Sequence, residues 1–148
     1  IELPLVVDGC PGEFCDCVSS DRLKSAVKLH ERLDTSSKII LRLKAKTQVD
    51  YVAFKRVISR PGIARLTNGR RVYYLGYASE GACLLHDGPD VRRTSCDQDD
   101  DLVLEDGGAI AEQWVEITYK GKTGYTNDLR VVAHGHPNFD GHCAFGGY

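Results

Sequence analysis

The feature that most limits what this chain can become is alternation. From Val27 onward, apolar side chains recur at every second position in short runs broken by glycine, proline and asparagine, and no stretch carries the spacing of a long amphipathic helix. Ile39, Leu41, Leu43 and Ala45 fall on one side of an extended chain while Arg42, Lys44 and Lys46 fall on the other, which predicts a half-buried strand. Val49 to Ile58 is a second β-branched and aromatic run, stopped by Pro61-Gly62. Ile63 to Thr67 and Val72 to Tyr77 flank Asn68-Gly69, a pair that suits a type I′ hairpin because both turn residues need positive φ. Ala82 to His86 continues as strand up to Asp87-Gly88-Pro89. Trp114 to Tyr119, a turn at Lys120-Gly121, Lys122 to Thr126 and a last strand at Leu129 to Ala133 complete the expected set. Ahead of all these, a short helix is expected near Asp21 to Ser25. The fold class is therefore all-β. No repeat recurs at a fixed period.

Charge is balanced in total and unbalanced along the chain. Nineteen basic against twenty-one acidic side chains give a net charge of −2 over 148 residues, so no global polycation points to nucleic acid. Yet residues 38 to 71 hold ten Lys or Arg against the single acid Asp50, whereas Asp97 to Glu112 holds seven acids and no base. Charges so dense repel one another, so 89–112 reads as a solvated loop with a short strand at Leu102 to Leu104. The basic side chains alternate with apolar ones and read as the outer face of strands, attracted to the acidic stretch or to an anionic polymer. The longest apolar runs are far shorter than the roughly 20 residues needed to cross a bilayer as a helix, so no membrane span is expected.

Six cysteines and no methionine stand out in the composition. An even cysteine count suggests a disulfide framework, and hence an oxidising compartment, periplasmic or extracellular. The start at Ile1, without an initiator methionine, reads as a processed form from which a secretion signal has been removed. Cys83 and Cys96 bracket the entry to the acidic stretch, so a bridge between them would close it at its base. Cys143 is expected to tie to the lead segment, with Cys10 and Cys15 or Cys17 making a third bond. Connectivity is open among fifteen arrangements of six cysteines.

The segment WVEITYKGKTGYTNDL, residues 114–129, resembles the closing hairpin of bacterial SH3-like (SH3b) domains: a tryptophan-led strand, a glycine turn, then Gly-aromatic and a short tail. Residues 27–43, VKLHERLDTSSKIILRL, look like the opening of the same family. Tyr125 stands where tryptophan is common in that family, and Lys46 where a glycine usually starts the next turn. The resemblance implies either an SH3-like small barrel over 26–133 with a β-hairpin insertion at about 53–112 or two fused SH3-like units, the first being favoured because the middle carries no second copy of the closing motif; a cysteine-rich strap over 1–25 and a tail over 134–148 flank it. It further implies a non-catalytic binding module of the bacterial cell envelope, which recognises a protein, a peptide or a peptidoglycan fragment. The arrangement Cys10-x4-Cys15-x-Cys17 ahead of an SH3-like body also resembles exported bacterial proteins, a likeness that implies no activity.

Several side chains are candidates for chemistry. Exposed aromatics in such barrels can grip extended peptides, so Tyr73, Tyr77, Trp114, Tyr119 and Tyr125 are the expected ligand-binding set, with Tyr119, Tyr125 and Trp114 central. Core packing is the competing role for each. His134, His136 and His142 with Cys143 lie within ten residues, but their spacing is not that of a structural zinc site, and no metal is expected. Asp97, Asp99 and Asp101 begin like a calcium loop, which fails at Leu102 and Gly108 where glycine and glutamate are required. No phosphate loop, G-x-S-x-G or zinc-hydrolase signature is present, and no catalytic-cysteine signature surrounds the six cysteines, with His30, His86, His134, His136 and His142 considered as partners. An enzyme is therefore not expected, nor a cofactor. The other reading is a secreted or periplasmic inhibitor of the immunity type, whose acidic loop 97–112 inserts into a cationic cleft. Alkylation of the unreduced chain followed by intact-mass measurement is expected to label none of the six cysteines, and six labels would remove the disulfide framework.

Overall fold

The computed structural model describes residues 1–8, 19–79, 81–96 and 102–132. Among them, twelve strands and one 3-10 turn carry the fold, and there is no α-helix. The strands are β1 (Leu5–Asp8), β2 (Ser19–Arg22), β3 (Val27–His30), β4 (Ile39–Leu43), β5 (Gln48–Arg60) and β6 (Gly62–Leu66). They continue as β7 (Arg71–Ser79), β8 (Ala82–Asp87), β9 (Asp90–Ser95), β10 (Leu102–Asp106), β11 (Ile110–Tyr119) and β12 (Lys122–Thr126), and the turn covers Leu129–Val131. One antiparallel sheet runs β1-β5-β11-β12-β3-β4, with β2 also paired to β5, and the other runs β10-β6-β7-β8-β9. Neither is closed. The all-β class expected from alternation is what forms.

Two compact units divide the chain, one of residues 1–7 with 57–112 and one of 8–56 with 113–148. In the second, alternate residues of β3, β5 and β11 meet in a core that includes Leu29, Val49, Val115 and Ile117, each fully buried. The tight pairing of β12 on β3 depends on Gly124, where an added Cβ would lie 2.6 Å from Leu29 Cβ and 3.2 Å from the His30 carbonyl oxygen. This is the close approach that a glycine in a strand marks. In the first unit one face of the five-stranded sheet buries Ala64, Val72, Tyr74 and Leu85, joined by Cys83 and Leu102. A second cluster in that unit packs Val7 with Ile58, Leu75 and Leu84.

The turns are where sequence and structure part. Leu66 O accepts from Gly69 N at 2.8 Å and Leu66 N donates to Arg70 O at 2.8 Å, so the β6–β7 loop is Thr67-Asn68-Gly69. Only Gly69 of the three has positive φ, at 85°. That is the three-residue hairpin with a glycine bulge, and not the type I′ turn expected at Asn68-Gly69. The turn with positive φ at both central residues is instead Lys120-Gly121, at 49° and 81°, between the paired Tyr119 and Lys122. Lys46 also holds a positive φ, 69°, a conformation that glycine adopts without steric cost.

Three further expectations are corrected. Leu129 to Ala133 was expected as strand, but Leu129–Val131 is a 3-10 turn because Asp128 Oδ1 accepts from Arg130 N at 3.1 Å and caps it. Residues 19–22 pair with β5 as a strand where a short helix was expected near Asp21, since Arg22 and Asp21 find ladder partners in Gln48 and Val49. Residues 90–95, read as solvated loop, form β9 in register with β8 from Ala82↔Ser95 to Asp87↔Asp90. Denaturant unfolding is expected to show Gly124→Ala destabilised by about 1–3 kcal/mol, because the new methyl meets backbone-anchored atoms and not a mobile side-chain end. An unchanged midpoint would contradict the described β12–β3 approach.

Candidate functional site

The pleat of β7 sorts its two adjacent tyrosines. Tyr74 packs inward, 8 % exposed, opposite Leu85, so Tyr73 must point to the other face, where it is 39 % exposed. Register then builds a row. Ile63 on β6 is the partner of Tyr73, Tyr73 of His86 on β8, and His86 of Val91 on β9. The row thus crosses four neighbouring strands on one face. Ile63 and Val91 are about as open as Tyr73, at 38 % and 40 %. The Tyr73 and His86 rings meet edge to face with centroids 6.3 Å apart. A groove of about 420 Å³ runs past Ile63, Tyr73 and His86 of this row, with Ile1, Arg70, Arg71 and Asp87 among its walls.

Ion pairs fix those walls. Arg70 forks onto Asp87, with Nη2 to Oδ2 at 3.1 Å, and Arg92 Nη2 reaches the same Oδ2 at 3.3 Å. Arg71 forks onto Glu105, Nε to Oε1 at 2.9 Å and Nη2 to Oε2 at 3.1 Å. Arg60 Nη2 lies 2.8 Å from Asp106 Oδ2. Hydrogen bonding from Arg70 holds the Asp87 carboxyl below its ordinary range, and Arg71 does the same for Glu105. For Asp106 the Gly108 backbone N–H is the main cause, with Arg60 behind it. The opposed charge runs of the sequence are therefore partly spent on each other.

The five aromatics expected to bind ligand do not form one surface. Tyr73 and Tyr77 belong to the first unit, and Trp114, Tyr119 and Tyr125 to the second. Trp114 is 1 % exposed, with the His30 ring edge-on at 6.2 Å, so its ring is packed and not presented. Tyr119 follows Ile117 on the core face of β11, half-buried, with Lys120 Nζ 5.3 Å above its ring. Tyr125 pairs with Glu116 on the opposite face. Its hydroxyl is pushed up by burial first, then by the negative charge of the Glu116 carboxylate and by hydrogen bonding to it. On that side Lys55 Nζ bonds Asp8 Oδ1 at 2.6 Å, which raises the ammonium pKa and keeps it charged. Tyr77, 55 % exposed, sits past the β7 irregularity, opposite Cys83.

Cys83 and Cys96 are disulfide-bonded, as expected from their position around the acidic stretch. Cys10, Cys15, Cys17 and Cys143, the histidines His134, His136 and His142, and the acids Asp97, Asp99 and Asp101 lie outside the described residues. Among the described residues no group of three or more His, Cys, Asp or Glu is placed to hold a metal ion, and no helix is long and apolar enough to cross a membrane. Sequence reasoning missed Ile63, His86 and Val91 as surface neighbours of Tyr73. Register in β6–β7 and β7–β8 sets Ile63 and His86 beside Tyr73, and the pairing of β8 with β9, a segment expected as loop, adds Val91.

No family model, curated protein or solved structure matches the chain. The acid response of the walls is testable directly. Carboxyls that titrate lower in the folded than in the unfolded chain stabilise the fold above their ordinary range, and that contribution is lost as pH falls through their folded values. Calorimetry is expected to show the melting temperature dropping below about pH 4, with a smaller drop in Asp87→Asn. A chain that gained stability on acidification would contradict the pairs described.

Proposed function

We propose that the protein is a non-catalytic binding module that uses the Ile63–Tyr73–His86–Val91 face to recognise a protein, a peptide or a peptide-bearing envelope fragment. The observation that carries this reading is the row itself: four side chains aligned across four strands, three of them at 38–40 % exposure, beside a groove with charged walls. Tyrosine and histidine offer apolar faces with polar tips and lose little entropy on binding, which suits recognition of an extended segment. The walls are pre-ordered by the Arg70–Asp87 and Arg71–Glu105 forks, so less side-chain freedom is lost on association.

The second unit is read as the SH3-like part. Its β3–β4 and β11–β12 hairpins, the positive-φ turn at Gly121, the close approach at Gly124 and the 3-10 turn at Leu129–Val131 support that reading. The Cys83–Cys96 disulfide supports a periplasmic or secreted location, where such bonds persist. The inhibitor reading is less favoured, because Glu105 and Asp106 of the acidic stretch already bind Arg71 and Arg60 within the unit.

Binding of the purified full chain to soluble peptidoglycan fragments and to an immobilised panel of extended peptides tests this. Tyr73→Ala combined with Val91→Ser is expected to weaken whichever interaction is found by about tenfold or more while the melting temperature holds. Asn at positions 97, 99, 100 and 101 is expected to leave it unchanged, and serves better than a deletion reaching residue 106 because β10 is part of the sheet. Loss with the Asn variant and retention with the Tyr73 variant would reverse the assignment.

A further inference from the structure

The second unit carries three neighbouring cations, Lys28, Arg42 and Lys44, which line one shallow depression with Asp128. Lys28 on β3 stands directly opposite Arg42 on β4, and both are exposed, a like-charge pair that costs stability across a ladder. Lys44, exposed, follows two residues after Arg42. Among the described residues none of the three makes an ion pair.

The acids of that unit are engaged by other groups, Asp128 beside the three cations included. Asp8 binds Lys55, Glu31 binds Arg32 and Lys38, and Asp34 accepts from Ser36. Asp50 accepts from the Lys120 backbone N–H, Glu116 from Tyr125, and Asp128 from Arg130. These are all the acids of that unit whose side chains are described.

A second observation concerns the backbone. β4 ends its sheet: it pairs with β3 from Val27↔Leu43 to His30↔Ile39, and among the described residues it has no neighbour on its other side. Its far edge therefore presents a row of main-chain donors and acceptors. Its side chains sort by face. Leu41 and Leu43 lie on the core side, Leu41 still half-open, while Arg42 lies with Lys28 on the other.

We infer that the β4 edge accepts an extended peptide segment as an added strand, and that the segment alternates acidic with apolar residues. Main-chain hydrogen bonds would supply affinity that is indifferent to sequence, and alternate side chains would supply selectivity. One face of the incoming strand places carboxylates against Arg42, Lys28 and Lys44, and the other lays apolar groups beside Leu41 and Leu43. This concerns a different unit from the Tyr73 face and stands independently of that reading.

Fluorescence anisotropy with the full chain tests it, using a labelled eight-residue peptide that alternates glutamate and valine. Saturable binding is expected below about 1 mM, weakened ~10-fold in Arg42→Glu with the melting temperature retained, and absent when lysine replaces every glutamate. Two more peptides separate strand addition from plain charge attraction, one N-methylated at every valine and one at every glutamate. One of the two is expected to lose binding, because each edge of a strand exposes the N–H groups of alternate residues only. Equal binding of the parent and both methylated peptides, displaced by inorganic polyphosphate, would mean a polyanion site and overturn strand addition. No binding by the parent peptide would also overturn it and leave the cations as guards against edge pairing.

Discussion

The outward direction of every side chain in the proposed recognition face depends on one constraint, the burial of Ala64, Val72, Tyr74 and Leu85 on a single side of the five-stranded sheet. Successive residues of a strand point to opposite faces, so a slip of one position would carry Tyr73 inward and Tyr74 outward. Packing opposes the slip at several places at once. Gly62 has the Asp106 carbonyl oxygen 2.1 Å from where a Cβ would stand, so no other residue fits there without movement. The Cys83–Cys96 bond joins the two ends of the β8–β9 pair. The Arg71–Glu105 and Arg60–Asp106 pairs tie β10 and its exit to the rest of the unit. Register, apolar burial and charge pairing agree, and agreement across levels is what makes one arrangement prevail over its neighbours.

The same alternation explains which parts of the fold could be read from sequence. Strands with one wet and one dry face announce themselves, and β4, β5, β6, β7, β8 and β12 overlap the runs read as strand, while β11 begins at Ile110, inside the expected loop, and not at Trp114. β9 has no such signature. Asp90, Val91, Arg92 and Arg93 are all exposed, as an edge strand with little on either face allows, so the segment looks like loop until its partner is known. The end of the second unit was misread for a different reason. Leu129, Val131 and Val132 have the composition of a strand, but a local contact, the Asp128 side chain on the Arg130 backbone N–H, decides the geometry there.

The turns show how composition can be right and conformation wrong. Asn-Gly does mark a hairpin at 68–69, and Lys-Gly marks another at 120–121, yet the turn with positive φ at both positions is the second. Loop length settled this, since the first connection has three residues and the second two. The candidate site was legible only in part. Tyr73 was among the aromatics picked from sequence, while Trp114 entered the packed interior, because periodicity tells which residues share a face and not which face is covered. His86 and Val91 join the row through the register of two consecutive antiparallel pairs, β7–β8 and β8–β9, and the second of these joins a segment with no alternation to announce it.

Hydroxyl-radical footprinting of the native chain, read by mass spectrometry at single residues, tests this account most directly. It predicts that Tyr73, at 39 % exposure, is oxidised much faster than its neighbour Tyr74, at 8 %. Equal rates, or faster labelling of Tyr74, would mean that the sheet adopts another register and that the face described does not exist.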